Sequence, residues 1–114
     1  MKAAITQITG YEIIFDNGWR LFSHHPQECC EDHYLDIGSL SLEDFDGLTF
    51  DLSGDLFFER VPSYGIRLLP INGHPVSVAG YYNNNGYYSD DLTLVLDCGD
   101  SERVFDITDC QKGQ

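Results

Sequence analysis

The chain has 114 residues, of which 19 are Asp or Glu and only 6 are Lys or Arg, so its net charge at neutral pH is -13. An aromatic content of 13% excludes intrinsic disorder despite this charge, and the length predicts a single domain over residues 1–114. The negative charge repels phosphate backbones and anionic lipid surfaces, which excludes direct nucleic-acid binding and membrane binding as expected functions.

The amino-terminal residues indicate the compartment. Polar residues at Thr6, Gln7 and Thr9 interrupt any apolar run that could serve as the core of a secretory signal. No segment approaches the length of apolar chain that spans a bilayer. We therefore expect a cytoplasmic protein whose four cysteines stay reduced.

Short alternating runs separated by Asn-Gly and similar turns predict a mainly β fold. Asn17-Gly18 favours a tight hairpin turn, and so do Asn72-Gly73 and the Gly99-Asp100-Ser101 sequence. The expected fold is a meandering antiparallel sheet, either open or curled and barrel-like. The predicted strands are residues 11–15, 19–23, 32–37, 66–71, 76–82, 92–98 and 103–108, with a further turn at 83–86 that brings Tyr81 and Tyr82 back to Tyr87 and Tyr88.

One short helix is predicted near residues 41–47. Ser41 is a favourable helix N-cap, and Glu43 and Asp44 place negative charge in the first turn. Gly47 ends the segment after about one and a half turns. A helix of this length is stable only when it packs on the sheet.

Chemically reactive side chains concentrate in residues 24–33. Imidazoles, thiols and carboxylates are ligands for a borderline divalent cation such as zinc. Adjacent cysteines are poorly placed to share one tetrahedral site, and no C-x-x-C or H-x-x-x-H spacing accompanies them, so no cofactor is predicted and a divalent metal is the alternative. The candidate metal ligands are His24, His25, Cys29, Cys30, Glu31 and His33.

The same segment offers a candidate thiol nucleophile. Cys29 with His25 or His33 would form the dyad, and Glu31 could orient the imidazole. The candidate catalytic residues are therefore Cys29, Glu31 and His25. The many nearby carboxylates raise a thiol pKa, which opposes this role, and we favour a buried structural cysteine instead.

Two separated motifs carry a resemblance to a known family. His25 to Glu31 fits H-x-x-x-C-C-E, and the later run Asn85-Gly86-Tyr87-Tyr88-Ser89 fits N-G-Y-Y-S. The chain resembles a family of small bacterial and phage-encoded domains of unknown function, which implies a shared fold and an origin in a phage or mobile element. The resemblance implies no activity or cofactor, and the chain departs from it at His33, where an aliphatic residue is usual.

The resemblance also implies that the two motifs meet in space. Hydroxyl groups of the later motif would then hydrogen-bond Glu31 or a thiol, either as a structural network or as a binding cleft. Exposed tyrosines are well suited to recognition because they add contact area at little cost in rotamer entropy. The candidate binding residues are Asn85, Tyr87, Tyr88 and Ser89.

The sequence thus favours a non-enzymatic interaction protein. From Leu21 through Glu59 there is no Lys or Arg, which predicts one markedly negative face. Such a face could dock on a basic surface of a cytoplasmic protein, so a protein partner is expected rather than a small molecule. The oligomeric state is not predicted. The alternative is a metal-binding protein or thiol enzyme centred on Cys29, Cys30 and Glu31.

Overall fold

The computed structural model describes residues 1–24, 32–83 and 92–113, with the backbone alone for residues 32, 33, 82, 83 and 113. Almost all of its regular structure is β. The strands are β1 (Lys2–Ala3), β2 (Ile5–Ile8), β3 (Glu12–Phe15), β4 (Arg20–His24), β5 (Asp32–Leu35), β6 (Phe50–Asp51), β7 (Phe58–Val61), β8 (Gly65–Leu68), β9 (Val76–Asn83), β10 (Thr93–Asp97), β11 (Glu102–Asp106) and β12 (Lys112–Gly113).

The first sheet contains two of the hairpins that the sequence predicts. Its strand order is β11-β10-β4-β3-β2, with every neighbouring pair antiparallel. Gly18, at φ 87°, turns β3 into β4, and Gly99, at φ 89°, turns β10 into β11. Both glycines adopt a left-handed conformation that a side chain would oppose. Because β10 lies beside β4, the chain leaves this sheet after β4 and returns to it at β10.

The second sheet is built around the long strand β9. Its order is β12-β9-β8-β7, and β5 also pairs with β9. The pairing of β9 with β12 is parallel, whereas its pairings with β8 and β5 are antiparallel. The β8–β9 connection is wider than the predicted Asn72-Gly73 hairpin, because Leu68 is paired with Val76. The Asn72 side chain instead accepts from the Thr49 backbone N–H at 2.8 Å, which ties the connection to a distant segment.

The prediction of a mainly β fold with antiparallel sheets is confirmed, whereas the barrel-like alternative is wrong because the sheets do not close. The predicted helix near 41–47 is a 3-10 helix, Leu42–Phe45, and the Ser41 hydroxyl caps it by accepting from the Glu43 N–H at 3.3 Å. A second 3-10 helix, Ile37–Ser39, occupies the end of the predicted strand 32–37. No helix among the described residues is long and apolar enough to span a bilayer.

Much of the core lies between the inward faces of these two five-stranded sheets, and the short antiparallel pair β1–β6 adds Ala3 and Phe50 to it. Leu94 and Leu96, on β10, are fully buried, and Phe105 on β11 contacts the ring of Phe58 on β7 edge to face at 5.2 Å. Polar contacts also join the sheets: Arg60 Nε donates to the Asp106 carbonyl at 2.8 Å. The inward faces are thus buried in the core, so a partner would bind at the outward faces or at the edges of the sheets.

Candidate functional site

Most of the predicted site residues lie outside the described part of the chain. Two of the candidates, His24 and His33, fall on described strands. His24 ends β4 and is exposed, and the backbone of His33 is paired with Tyr82 on β9. The candidates outside the described residues are His25, Cys29, Cys30, Glu31, Asn85, Tyr87, Tyr88 and Ser89.

The described residues that flank the two predicted motifs are neighbours. His24 lies opposite Thr93 on β10, and the Thr93 hydroxyl donates to the His24 carbonyl at 3.1 Å. At the other boundary Asp32, which begins β5, lies opposite Asn83, which ends β9. At each boundary, a described residue near one motif therefore lies opposite a described residue near the other. This arrangement supports the expectation that the motifs meet, which stays a prediction.

The described thiols and imidazoles form no metal centre. Within residues 1–24, 32–83 and 92–113, no group of three or more His, Cys, Asp or Glu side chains could hold an ion. Cys110 is buried, and burial raises the pKa of its thiol. Cys98 is half-buried and its thiol donates to the Leu96 carbonyl at 3.6 Å. Cys110 therefore has the character of a structural cysteine, since a raised pKa reduces the thiolate population.

The positive side chains are almost all occupied by contacts within the protein. Every arginine, together with Lys112, is held by a carboxylate, a backbone carbonyl or an aromatic ring. The pairs are Arg20 with Glu12 and Asp97, Arg67 with Glu59, Arg60 with the Asp106 carbonyl, Arg103 with the Leu52 and Gly54 carbonyls, and Lys112 with the rings of Tyr64 and Tyr81. Lys2 makes no such contact among the described residues.

Local hydrogen bonds stabilise some of the carboxylates in their charged form. The Arg20 side chain bonds Asp97 Oδ2 at 2.5 Å and holds the pKa of that carboxyl below its usual value. Hydrogen bonds from Thr108, through its hydroxyl at 2.6 Å and its backbone N–H at 3.0 Å, lower the pKa of Asp106. These carboxylates thus have fixed roles in the fold.

A second group of carboxylates is exposed and has no cationic partner in the described part of the chain. Such side chains present negative charge to solvent without a compensating contact among the described residues, so they contribute to a negative field at the surface. They occupy turns, strand ends and the 3-10 helix Leu42–Phe45. The group, which we call the free carboxylates, consists of Asp16, Glu43, Asp44, Asp46, Asp55, Asp100, Glu102 and Asp109.

An apolar row crosses the outward face of the first sheet. Val104 on β11, Val95 on β10 and Phe22 on β4 lie directly opposite one another, and the row ends at Glu12 on β3. Val95 is only 5% exposed, whereas Val104 is 59% exposed. The row is flanked on β11 by Glu102, a free carboxylate, so apolar contact area and negative charge lie side by side on this face.

The sequence alone does not predict this row. Strand β11 was predicted, and its alternation of Glu102, Val104 and Asp106 indicates three side chains on one face. Their neighbours on β4 could not be found, because no local pattern places β10 beside β4. The available signal was Val104, an apolar residue between two acidic ones, although Glu102 precedes the predicted strand 103–108.

Comparisons of the chain with known protein families, with curated proteins and with solved structures found no match. The resemblance to small bacterial and phage-encoded domains therefore stays a prediction.

Proposed function

We propose that this protein is a non-enzymatic binding protein that docks through its acidic surface on a basic surface of a cytoplasmic protein partner. The observation that supports the proposal most strongly is the imbalance between free carboxylates and occupied cations. Every positive side chain except Lys2 is engaged in a contact within the protein, which reduces what it adds to recognition, while the free carboxylates face solvent.

Electrostatic attraction of this kind chiefly accelerates association and selects partners by charge. A field set by exposed carboxylates favours Lys- and Arg-rich surfaces and opposes phosphate backbones. The partner expected from this chemistry is therefore a basic protein surface. A protein that itself binds nucleic acid offers such a surface.

The experiment compares the native chain with a neutralised variant in which the free carboxylates are replaced by their amides. These side chains have no ion pair among the described residues, so the replacement keeps the described contacts and removes charge. Each protein is immobilised and exposed to a panel of purified basic domains and to a matched acidic panel. Selective retention of basic domains by the native chain alone supports the proposal, and equal retention by both proteins contradicts it.

A further inference from the structure

Strand β11 forms one edge of the first sheet, and its backbone pattern determines which groups face outward. Cys98 N–H donates to the Ser101 carbonyl, and Ile107 N–H donates to the Leu92 carbonyl. Antiparallel pairing alternates hydrogen-bonded and non-hydrogen-bonded positions. The N–H and C=O groups of Glu102, Val104 and Asp106 therefore point away from β10.

Most of these outward backbone groups have no hydrogen-bond partner in the described part of the chain. Arg60 Nε donates to the Asp106 carbonyl at 2.8 Å, so this acceptor, at one end of the strand, is already hydrogen-bonded. Among the described residues no other group bonds the outward N–H and C=O of Glu102 and Val104. The side chain of Glu102 is exposed, and that of Val104 is 59% exposed. The opposite edge of this sheet, β2, is less regular because its register shifts between Ile5 and Gln7.

The charges on β11 determine which kind of strand can pair with its free edge. In an antiparallel pairing with a second copy centred on Val104, Glu102 would lie opposite Asp106 of the other copy, and like charges opposite one another are destabilising. An extended segment with an apolar residue opposite Val104 and basic residues two positions away on each side places an apolar contact at Val104 and opposite charges at Glu102 and Asp106. The Asp106 carboxylate also accepts from the Thr108 hydroxyl. The edge thus opposes self-association and favours a basic strand.

We propose that a basic, extended segment of the partner protein docks as an additional strand along the edge of β11. This inference rests on the proposed function. It specifies where the partner binds, at the edge of β11, and how it binds, by adding a strand to the sheet. Main-chain hydrogen bonds to Glu102 and Val104 would supply affinity, as in other cases of strand addition. Contacts with the side chains of Glu102, Val104 and Asp106 would supply specificity.

The probe is a fluorescein-labelled peptide containing Lys-Thr-Val-Thr-Lys, whose affinity is measured by fluorescence anisotropy at low salt. In the proposed register the valine amide of the peptide faces β11, whereas the threonine amides face solvent. N-methylation of the valine should weaken binding on the order of 10-fold, and N-methylation of the threonines should change it little. Both peptides carry the same charge, so the comparison isolates backbone pairing.

Two pairs of protein variants test the same register. Val104→Pro removes an outward N–H and leaves the pairing with β10 intact, and Val104→Thr is its matched control. Glu102→Lys and Asp44→Lys change the net charge equally, but Asp44 lies on the 3-10 helix that contacts β2 at the opposite edge. We expect Val104→Pro and Glu102→Lys to weaken binding on the order of 10-fold relative to their controls.

The outcomes separate this inference from the proposed function. Protection of the Glu102 and Val104 amides from hydrogen exchange on peptide binding, together with the expected losses, supports strand addition. Equal binding of both methylated peptides, or equal losses in Glu102→Lys and Asp44→Lys, overturns the β11 site while leaving acidic docking in place. If Val104→Pro fails to fold, the affinities of the two methylated peptides for the native chain test the inference without it. No binding of the unmodified peptide also overturns the inference.

Discussion

Arg20 and Asp97 lie directly opposite each other on β4 and β10, and Arg20 Nη2 donates to Asp97 Oδ2 at 2.5 Å. The other terminal nitrogen of Arg20 donates to Glu12 Oε2 on β3 at 3.0 Å. One guanidinium thus links three strands of the first sheet. Because the Arg20 guanidinium is paired with two carboxylates, it contributes little positive charge to contacts with a partner.

This contact makes a prediction about acid stability. Because the hydrogen bond from Arg20 lowers the pKa of Asp97, the folded protein gains stability above the usual carboxyl pKa of 3.8 and loses it as the pH falls through the lowered value. Replacing Arg20 with Gln should raise the pKa of Asp97 towards 3.8, as measured by NMR titration. Arg67→Gln, which breaks only the pair with Glu59, is the control. An unchanged Asp97 pKa in the Arg20 variant would contradict this geometry.

The close approach of β8 and β9 at Gly65 makes a prediction about stability. A Cβ atom added to Gly65 would lie 2.7 Å from the Gly80 nitrogen and even closer to the Val78 carbonyl oxygen, so the backbone would have to move. Gly65→Ala should lower the free energy of unfolding by about 1–3 kcal/mol or more, measured by denaturant titration. Gly10→Ala is the matched control, because its Cβ would meet no atom within 4 Å. Equal stability of the two variants would show that the strands are not packed this closely.

The free carboxylates make a prediction about salt. We expect their mutual repulsion to exceed the attraction in the exposed ion pairs, and salt screens both. Added monovalent salt should therefore raise the thermal midpoint, and the neutralised variant should respond less. A midpoint that falls steadily from low to moderate salt would mean that attraction between paired charges dominates. Stabilisation by calcium beyond that of equal ionic strength would indicate a specific ion site.

The local parts of the fold could be predicted from sequence, whereas the long-range parts could not. Asn17-Gly18 and Gly99-Asp100 determine their hairpins because the turn itself requires a left-handed residue. The strands of two residues, such as β1 and β12, are too short to show any alternation. The pairing of β4 with β10 depends on the whole chain between them. The apolar row of Val104, Val95 and Phe22 depends on this pairing, so it could not be predicted from the sequence.

The alternative of a metal or thiol site rests on residues outside the described part of the chain. It predicts about one equivalent of metal in protein purified without a polyhistidine tag, or rapid labelling of Cys29 or Cys30 at neutral pH. The binding proposal predicts substoichiometric metal and slow labelling. Elemental analysis and timed thiol labelling on the same preparation distinguish the two. Stoichiometric metal would replace the binding proposal with the metal-site alternative.

The predicted meeting of the two motifs has its own test. The neighbouring pairs His24 with Thr93 and Asp32 with Asn83 favour it. Glu31→Gln and Tyr88→Phe should then be non-additive, with a coupling free energy on the order of 1 kcal/mol in denaturant titrations. A double-mutant cycle with Tyr87→Phe tests the neighbouring hydroxyl in the same way. Strict additivity in both cycles would mean that the motifs act independently.

In the proposed function, docking depends on the free carboxylates. The most direct measurement is the dissociation constant for a retained basic domain as a function of ionic strength, with the native chain and the neutralised variant side by side. We expect the affinity of the native chain to fall steeply as salt rises, and the neutralised variant to bind weakly at every ionic strength. Equal affinity of the two proteins, unchanged by salt, would contradict the proposed function.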